Sequence, residues 1–143
     1  MSRFRTAILS LSLVIAAPLV AAQETDIKDQ ISVELNAVET TEDACKLTFM
    51  ITNGLETPVD KIIYEAVLFD TEGQVDRLTL FDFGTLPPAR PRVRQFVVPQ
   101  TTCEGLGRIL FNGANACETG GSASGVCDTG LLPTSRTSIE VLG

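Results

Sequence analysis

Apolar and polar side chains alternate along most of this chain, which is the pattern of β-strands that bury one face. The clearest case is residues 45–52, where Cys45, Leu47, Phe49 and Ile51 share one face and mostly polar residues occupy the other. Similar runs bounded by turn residues predict further strands. The predicted strands cover residues 31–37, 45–52, 61–70, 74–83, 92–98, 108–112 and 137–142.

The run at residues 61–70 is predicted to be a central strand, because it is apolar on most of both faces. Ile62, Tyr64, Ala66 and Leu68 form the face that is wholly apolar and is expected to point to the core. A buried helix is the competing interpretation, but the β-branched and aromatic content of the run favours a strand.

A tight turn after this run predicts a hairpin to the next strand. Asp70 and Gly73 fit the first and fourth positions of a type I turn. The second arm has apolar residues on both faces, so we expect a β-bulge near residues 79–82. Prolines within residues 87–91 then predict an extended crossover that does not pair, before the strand at residues 92–98.

About seven short strands with almost no helical periodicity predict an all-β fold. Regularly spaced turn residues favour an immunoglobulin-like antiparallel β-sandwich, and an up-and-down barrel is the alternative. The chain contains no Trp, so it lacks the buried Trp of antibody domains. The small and polar residues 113–130 are interpreted as a loop.

The beginning of the chain is predicted to be a signal peptide. Arg3 and Arg5 precede an apolar stretch at residues 7–20, and small residues then fit a cleavage site before Gln23. This stretch is shorter than the ~20 residues of a spanning helix, and no later stretch is long enough to span a membrane. The predicted organisation is a signal peptide at 1–22, a flexible leader at 23–30 and one β domain at 31–143.

An even number of cysteines in an exported chain predicts disulfide bonds. Four cysteines allow three pairings, and we favour Cys45 with Cys103 across the domain and Cys117 with Cys127 across a loop. A zinc site built from all four is the alternative, but no two of them have C-x-x-C spacing. The signal peptide and the cysteines together predict a periplasmic or secreted protein.

Composition excludes several classes of function. The formal net charge of −7 becomes −9 once Arg3 and Arg5 leave with the predicted signal peptide. An acidic protein repels nucleic acid and anionic lipid, so no nucleic-acid partner is expected. The chain has no His, which excludes Ser–His and Cys–His catalysis. We therefore predict a protein that is not an enzyme and carries no cofactor.

Arginines form the concentrated positive feature of this acidic chain: Arg90, Arg92 and Arg94, with Arg77 expected nearby. An arginine side chain can bind a carboxylate or phosphate through two parallel hydrogen bonds. The cluster is therefore the candidate binding site for an acidic partner, a protein or another component of the cell envelope. Neutralisation by acids of the preceding hairpin is the alternative; these are Asp70, Asp76 and Asp82.

Carboxylates suggest two other hypotheses. Asp70, Glu72 and Asp76 surround Gly73 and could hold a cation, although the spacing differs from that of an EF-hand and a solvated hairpin tip is the simpler interpretation. Paired carboxylates could serve a hydrolase, and a small-ligand or metal-binding periplasmic protein is a further alternative. Residues 82–84 match the kinase tripeptide Asp-Phe-Gly, but the other kinase motifs are missing, so the match is attributed to chance.

Two stretches, TNGLETPVDKIIYEAVLFDTEGQV and LPPARPRVRQFVV, resemble the small bacterial immunoglobulin-like modules of the FxLYD type. The shared features are a turn with Asn, an apolar strand that ends in an aromatic residue and Asp, a Gly turn and a Pro-rich link. The whole chain is also similar to small exported proteobacterial proteins often labelled as twin-arginine signal-domain proteins, through LTLFDFG, RPRVRQF and SRTSIEVLG. These resemblances imply an exported immunoglobulin-like module with a binding or structural role, and no catalytic residue or ligand.

Overall fold

A computed structural model describes residues 26–143, and the predicted signal peptide at residues 1–22 lies outside the described residues. The described part is an all-β fold, as predicted, in which two sheets pack as a β-sandwich. In chain order the strands are β1 (Ile31–Thr41), β2 (Ala44–Asn53), β3 (Val59–Asp70), β4 (Val75–Leu86), β5 (Arg92–Pro99), β6 (Leu106–Thr119), β7 (Ser122–Ala123), β8 (Leu131–Ser135) and β9 (Glu140–Leu142). A 3-10 turn, Cys103–Gly105, precedes β6, and a short helix, α1 (Val126–Thr129), precedes β8. No helix of the described part is long and apolar enough to cross a membrane.

The first sheet has the order β5-β2-β1-β8, and the second has the order β4-β3-β6, with β7 and β9 both paired to β6. The pairs β1–β8 and β6–β9 are parallel, whereas the sequence predicted a wholly antiparallel sandwich. The described residues form nine strands instead of about seven, because β7 and β8 were not predicted.

The region predicted as a loop, residues 113–130, is largely regular structure. β6 continues through it to Thr119, β7 folds back onto β6, and α1 follows. The pairing of β6 with β3 shifts register at Gly107, Asn112 and Asn115, so three β-bulges absorb the extra residues. Small residues with little strand preference concealed this strand in the sequence, and its pairing with β3 overrides that local preference.

β4 alternates regularly where a bulge was predicted. It pairs with β3 residue by residue from Arg77 to Asp82, and the three register shifts lie at Asp76, at Phe83 and between Gly84 and Leu86. Leu78 and Leu80 consequently lie on the outer face and are exposed, while Phe81 and Phe83 are buried. A bulge therefore lies next to the predicted place, at Phe83, but it does not bring Leu78 and Leu80 to the core, because not every apolar residue of this strand faces inward.

The core lies between the sheets and is centred on β3, which has β4 on one side and β6 on the other, as predicted for a central strand. The predicted inward residues Ile62, Tyr64, Ala66 and Leu68 are all buried. Aromatic rings from both sheets form one cluster; its members are Phe49, Tyr64, Phe81, Phe83, Phe96 and Phe111. The ring of Phe49 lies within 6.1 Å of four of the other rings, so it joins the two sheets at their centre.

Both favoured disulfide pairings are confirmed: Cys45 bonds to Cys103, and Cys117 bonds to Cys127. The first connects β2 of one sheet to the turn that leads into β6 of the other sheet. The second joins β6 to α1 and fixes the segment that contains β7. All four cysteines are buried, and paired cysteines of this kind are typical of proteins in oxidising compartments.

The last residues of the predicted leader are bonded to the domain. Asp29 N–H donates to the carbonyl of Gly54 at 3.1 Å, and Gly54 N–H donates to the carbonyl of Gln30 at 2.8 Å. A Cβ atom at Gly54 would lie 1.9 Å from the carbonyl oxygen of Ile27, so glycine is required there. Gly54, in the Asn-Gly dipeptide at the end of β2, therefore allows the two backbone segments to approach closely.

The phenol of Tyr64 links the core to the second disulfide. Its hydroxyl donates a 2.6 Å hydrogen bond to the carbonyl of Cys127. Burial, and to a lesser extent the nearby carboxylate of Asp128, raises the pKa of Tyr64 well above its ordinary value. The folded state thus disfavours the phenolate, so the stability is fully present below about pH 10 and is lost as the pH rises further.

Replacing Tyr64 by phenylalanine is expected to lower the free energy of unfolding by about 1–2 kcal/mol at neutral pH, because the buried carbonyl of Cys127 loses its donor. The variant is also expected to lose part of the decrease in stability that the wild type shows above about pH 10. Urea unfolding at neutral and alkaline pH measures both effects. Identical stability of the two proteins across this range would contradict the role assigned to the hydroxyl.

Candidate functional site

The candidate arginines lie on the side of the sandwich where β4 and β5 form the edges of the two sheets, here called the β4–β5 side. β4 pairs only with β3, and β5 pairs only with β2. Arg92 and Arg94 are on β5, Arg90 precedes it, and Arg77 is on β4. Arg77 lies at the far end, since the strand between positions 77 and 83 spans about 20 Å. Arg77 therefore shares the β4–β5 side with the other three arginines, as expected, but it lies about 20 Å from them along the strand.

Two of the arginines tie the two edges together. Arg77 Nη1 donates to the carbonyl of Pro99 at 2.6 Å, and Arg94 Nε donates to the carbonyl of Phe83 at 3.0 Å. Each arginine thus satisfies a main-chain acceptor of the opposite sheet. Since the beginning of β4 lies beside the end of β5, the two edges run antiparallel.

Arg77 differs from the other three arginines because it forms an ion pair. Arg77 Nε lies 2.6 Å from the carboxylate of Asp76, so the predicted neutralisation by a hairpin acid applies to this residue. Within residues 26–143, Arg90, Arg92 and Arg94 have no carboxylate within 4.0 Å. The beginning of β5 therefore carries three positive charges that no described acid neutralises.

Substitution should distinguish the two kinds of arginine. Replacing Arg94 by alanine is expected to lower the free energy of unfolding by about 1–2 kcal/mol, because the carbonyl of Phe83 loses its donor. Replacing Arg92 by alanine is expected to change it by less than about 0.5 kcal/mol, since Arg92 bonds only to its neighbour Pro91. Chemical denaturation of both variants measures the difference. An equal loss in the two variants would contradict this division.

The β4–β5 side also carries most of the exposed apolar surface. Six large apolar side chains are exposed among the described residues, and five of them lie on β4 or β5: Val75, Leu78, Leu80, Val93 and Val97. These five are 52–61% exposed, whereas the sixth, Leu142, is 37% exposed. Sequence reasoning missed them because it assigned apolar residues to the core. On β5 the signal was present, since Val93 and Val97 alternate with the inward Phe96 and Val98.

Lysines and internal prolines, which commonly prevent another strand from pairing, are missing from both edges, and β-bulges are missing from β5 and from β4 between Arg77 and Asp82. β5 pairs with β2 from Ala44 to Ile51 without a register shift, contains no Lys, and has its proline at the last position. β4 is equally regular from Arg77 to Asp82. Both edges can therefore accept an additional strand.

The outer face beside β4 is acidic and apolar. An open depression of about 250 Å³ is lined there by Glu65, Leu78, Thr79, Leu80 and Asn115. The Glu65 carboxylate accepts a 2.6 Å hydrogen bond from the amide of Asn112, which lies at a bulge of β6 beside it. Asp82 is also exposed on β4. The edge of the second sheet thus differs in charge from the arginine-bearing edge of the first.

The acidic hairpin has a structural explanation. The Asp70 carboxylate accepts hydrogen bonds from the N–H groups of Glu72 and Gln74, both at 2.9 Å, and Gly73 N–H donates to the Asp70 carbonyl as in the predicted turn. Asp76 pairs with Arg77. In the described part of the chain, no group of three or more Cys, Asp or Glu residues is placed to hold a metal ion.

Comparison of the chain with protein-family models, with curated proteins and with solved structures found no match. The resemblances carried by the sequence motifs therefore stay predictions. The geometry of the β4–β5 side is therefore the main indication of function.

Proposed function

We propose that this protein is an exported, non-catalytic module that binds a macromolecular partner in the periplasm or outside the cell. The observation that carries the proposal is the combination of features on the β4–β5 side. Two strand edges with regular central stretches, five exposed apolar side chains and three arginines without a described acidic partner occur there together. Each feature alone is common on protein surfaces, and their coincidence on one side favours binding.

An unpaired strand edge binds an extended segment by continuing the sheet. Main-chain hydrogen bonds then supply affinity, and alternate side chains supply specificity. On β5 the outward side chains are Val93, Gln95 and Val97, which can contact apolar side chains of the added strand. The arginines at the beginning of the strand select a partner that presents carboxylates at that end. The proposed partner therefore offers an extended strand that is both apolar and acidic.

The two buried disulfides support a location in an oxidising compartment. The acidic net charge of −7 for the whole chain supports a protein partner over nucleic acid or an anionic membrane surface. The lack of His in the chain supports binding over the common forms of nucleophilic catalysis.

Site-specific photo-crosslinking in cells that export the protein tests this proposal. A photo-reactive p-benzoylphenylalanine at position 97, on β5, is expected to give a covalent adduct of defined mass. The matched control places the same group at position 134, where exposed Thr134 lies on β8 at the other edge of the same sheet. The additional change Arg92→Glu is expected to weaken the adduct at position 97.

The absence of an adduct at position 97 would contradict the proposal. The same adduct at positions 97 and 134 would also contradict it, since it would show that the contact is not specific to the β4–β5 side. Denaturing gel electrophoresis followed by intact-mass measurement gives both the yield and the mass of the crosslinked species.

A further inference from the structure

We infer that the partner of the β4–β5 side is a second copy of this chain, with β5 of each copy paired antiparallel to β4 of the other. This inference rests on the proposed function, because it names the occupant of the same surface. Charge, symmetry and the positions of the exposed apolar side chains support it independently.

The two edges complement each other in charge. β5 contains Arg92 and Arg94 and no acidic residue, and Arg90 lies two residues before its first residue. On β4 the single Arg is paired with Asp76, which leaves Asp82 exposed and without an arginine or lysine within 4.0 Å in the described structure. Pairing β5 with β5 brings no carboxylate to the arginines, because β5 has none. Pairing β5 with β4 brings Asp82 to the edge that bears the arginines.

A two-fold axis parallel to the strands produces this exchange. It places β5 of one copy beside β4 of its partner in one continuous sheet, and it repeats the same contact in the other sheet. The contact is closed and self-complementary, as in most protein dimers. The strands meet antiparallel, because β4 and β5 already run antiparallel within one chain, as their arginine bonds to Pro99 and Phe83 require.

The apolar side chains also match in position. The bonds from Arg77 to Pro99 and from Arg94 to Phe83 place Leu80 and Val97 at about the same height along their edges. Both side chains lie on outer faces, at 52% and 61% exposure. In the joined sheet the outer faces coincide, so Val97 becomes the cross-strand neighbour of Leu80 from the partner. Association thus covers apolar surface that one chain leaves exposed.

Sedimentation equilibrium of the disulfide-bonded protein tests the inference. The wild type is expected to be a dimer at about 100 µM chain concentration, with dissociation on dilution. Arg92→Asp and Asp82→Arg are each expected to weaken the dimer about threefold, because each turns an attraction into a repulsion at both contacts, between positions that the register sets about 10 Å apart. The double variant Arg92→Asp/Asp82→Arg is expected to restore the dimer, since it exchanges the charges across each contact.

Arg136→Asp is the matched control, because it makes the same charge change on an exposed residue outside the β4–β5 side, following β8. It is expected to leave the dimer affinity unchanged. Circular dichroism and thermal unfolding verify that each variant is folded. If the double variant does not fold, an equimolar mixture of the two single variants gives the corresponding test, because each copy then offers opposite charges to the other.

A monomeric wild type at this concentration would overturn the inference. So would single variants with wild-type affinity, a double variant as weak as the single ones, or an equal loss in the Arg136→Asp control. The proposed function fails separately: an adduct at position 97 with the mass of a different protein would refute the second copy and keep the binding role. An adduct of twice the chain mass supports both.

Discussion

A variant with alanine in place of Phe49 is expected to lose about 3–5 kcal/mol of unfolding free energy, the largest effect we predict for one substitution. Phe49 is completely buried on β2 and its ring contacts four aromatic rings, from β4, β5 and β6. Removing the ring leaves a cavity between the sheets that rigid neighbours, held by paired strands, can only partly fill. Guanidinium unfolding followed by far-UV circular dichroism measures the loss.

The control for this substitution is Val93→Ala, which shortens an apolar side chain that is 59% exposed. It is expected to change the unfolding free energy by less than about 0.5 kcal/mol. A comparable loss in both variants would mean that the ring of Phe49 does not join the sheets in the way described.

Removal of the disulfide between Cys45 and Cys103, by alanine at both positions, is expected to cost about 4 kcal/mol. The bridge spans 58 residues, and a long loop restricts the unfolded chain more than a short loop does. The bridge between Cys117 and Cys127 spans only 10 residues, and its removal is expected to cost about 3 kcal/mol. The double-alanine variants, compared by urea unfolding under non-reducing conditions, measure both values.

The order of these two values is the critical result. A larger loss from removing the short bridge would indicate that this bridge does more than restrict the unfolded chain. It would then also stabilise the folded state, by holding α1 and the Cys127 carbonyl against Tyr64. No loss from either removal would contradict the description of the disulfides as supports of the sandwich.

The sequence predicted the core strands well where one face is strictly apolar. The faces of β2 and β3 were assigned correctly, because an error in strand phase would have exposed Phe49 or Tyr64. The disulfide pairing was also predictable, since Cys45 shares the inward face of β2 and the other pair closes a short loop. In these cases a local pattern and the long-range structure agree.

The parts that were not predicted depend on long-range pairing. β6 beyond Asn112 consists of small residues, and it is a strand because β3 offers a partner for it. β8 contains Pro133 and pairs in parallel with β1, a contact that no short pattern indicates. Asn53, the last residue of β2, is buried, and its amide donates to the carbonyls of Thr57 and Leu86, contacts that no short pattern indicates.

The candidate site was predicted in part. The arginines were identified from sequence as a group, but only the structure separates Arg94, which bonds to the opposite sheet, from Arg90 and Arg92. The exposed apolar residues of β4 were missed, because a strand with apolar residues on both faces was interpreted as irregular. Recognising an apolar edge requires knowledge of which strands lack a neighbour, and that is a property of the sheet order.

Hydrogen–deuterium exchange of the backbone amides at two protein concentrations tests most directly whether the β4–β5 side meets a second copy. Between about 1 µM and about 200 µM, exchange in peptides from β4 and β5 is expected to slow, because each edge gains main-chain hydrogen bonds in the dimer. Peptides from β8, at the opposite edge of the first sheet, are expected to exchange at the same rate at both concentrations. Unchanged exchange in β4 and β5, or slowing confined to β8, would contradict the account.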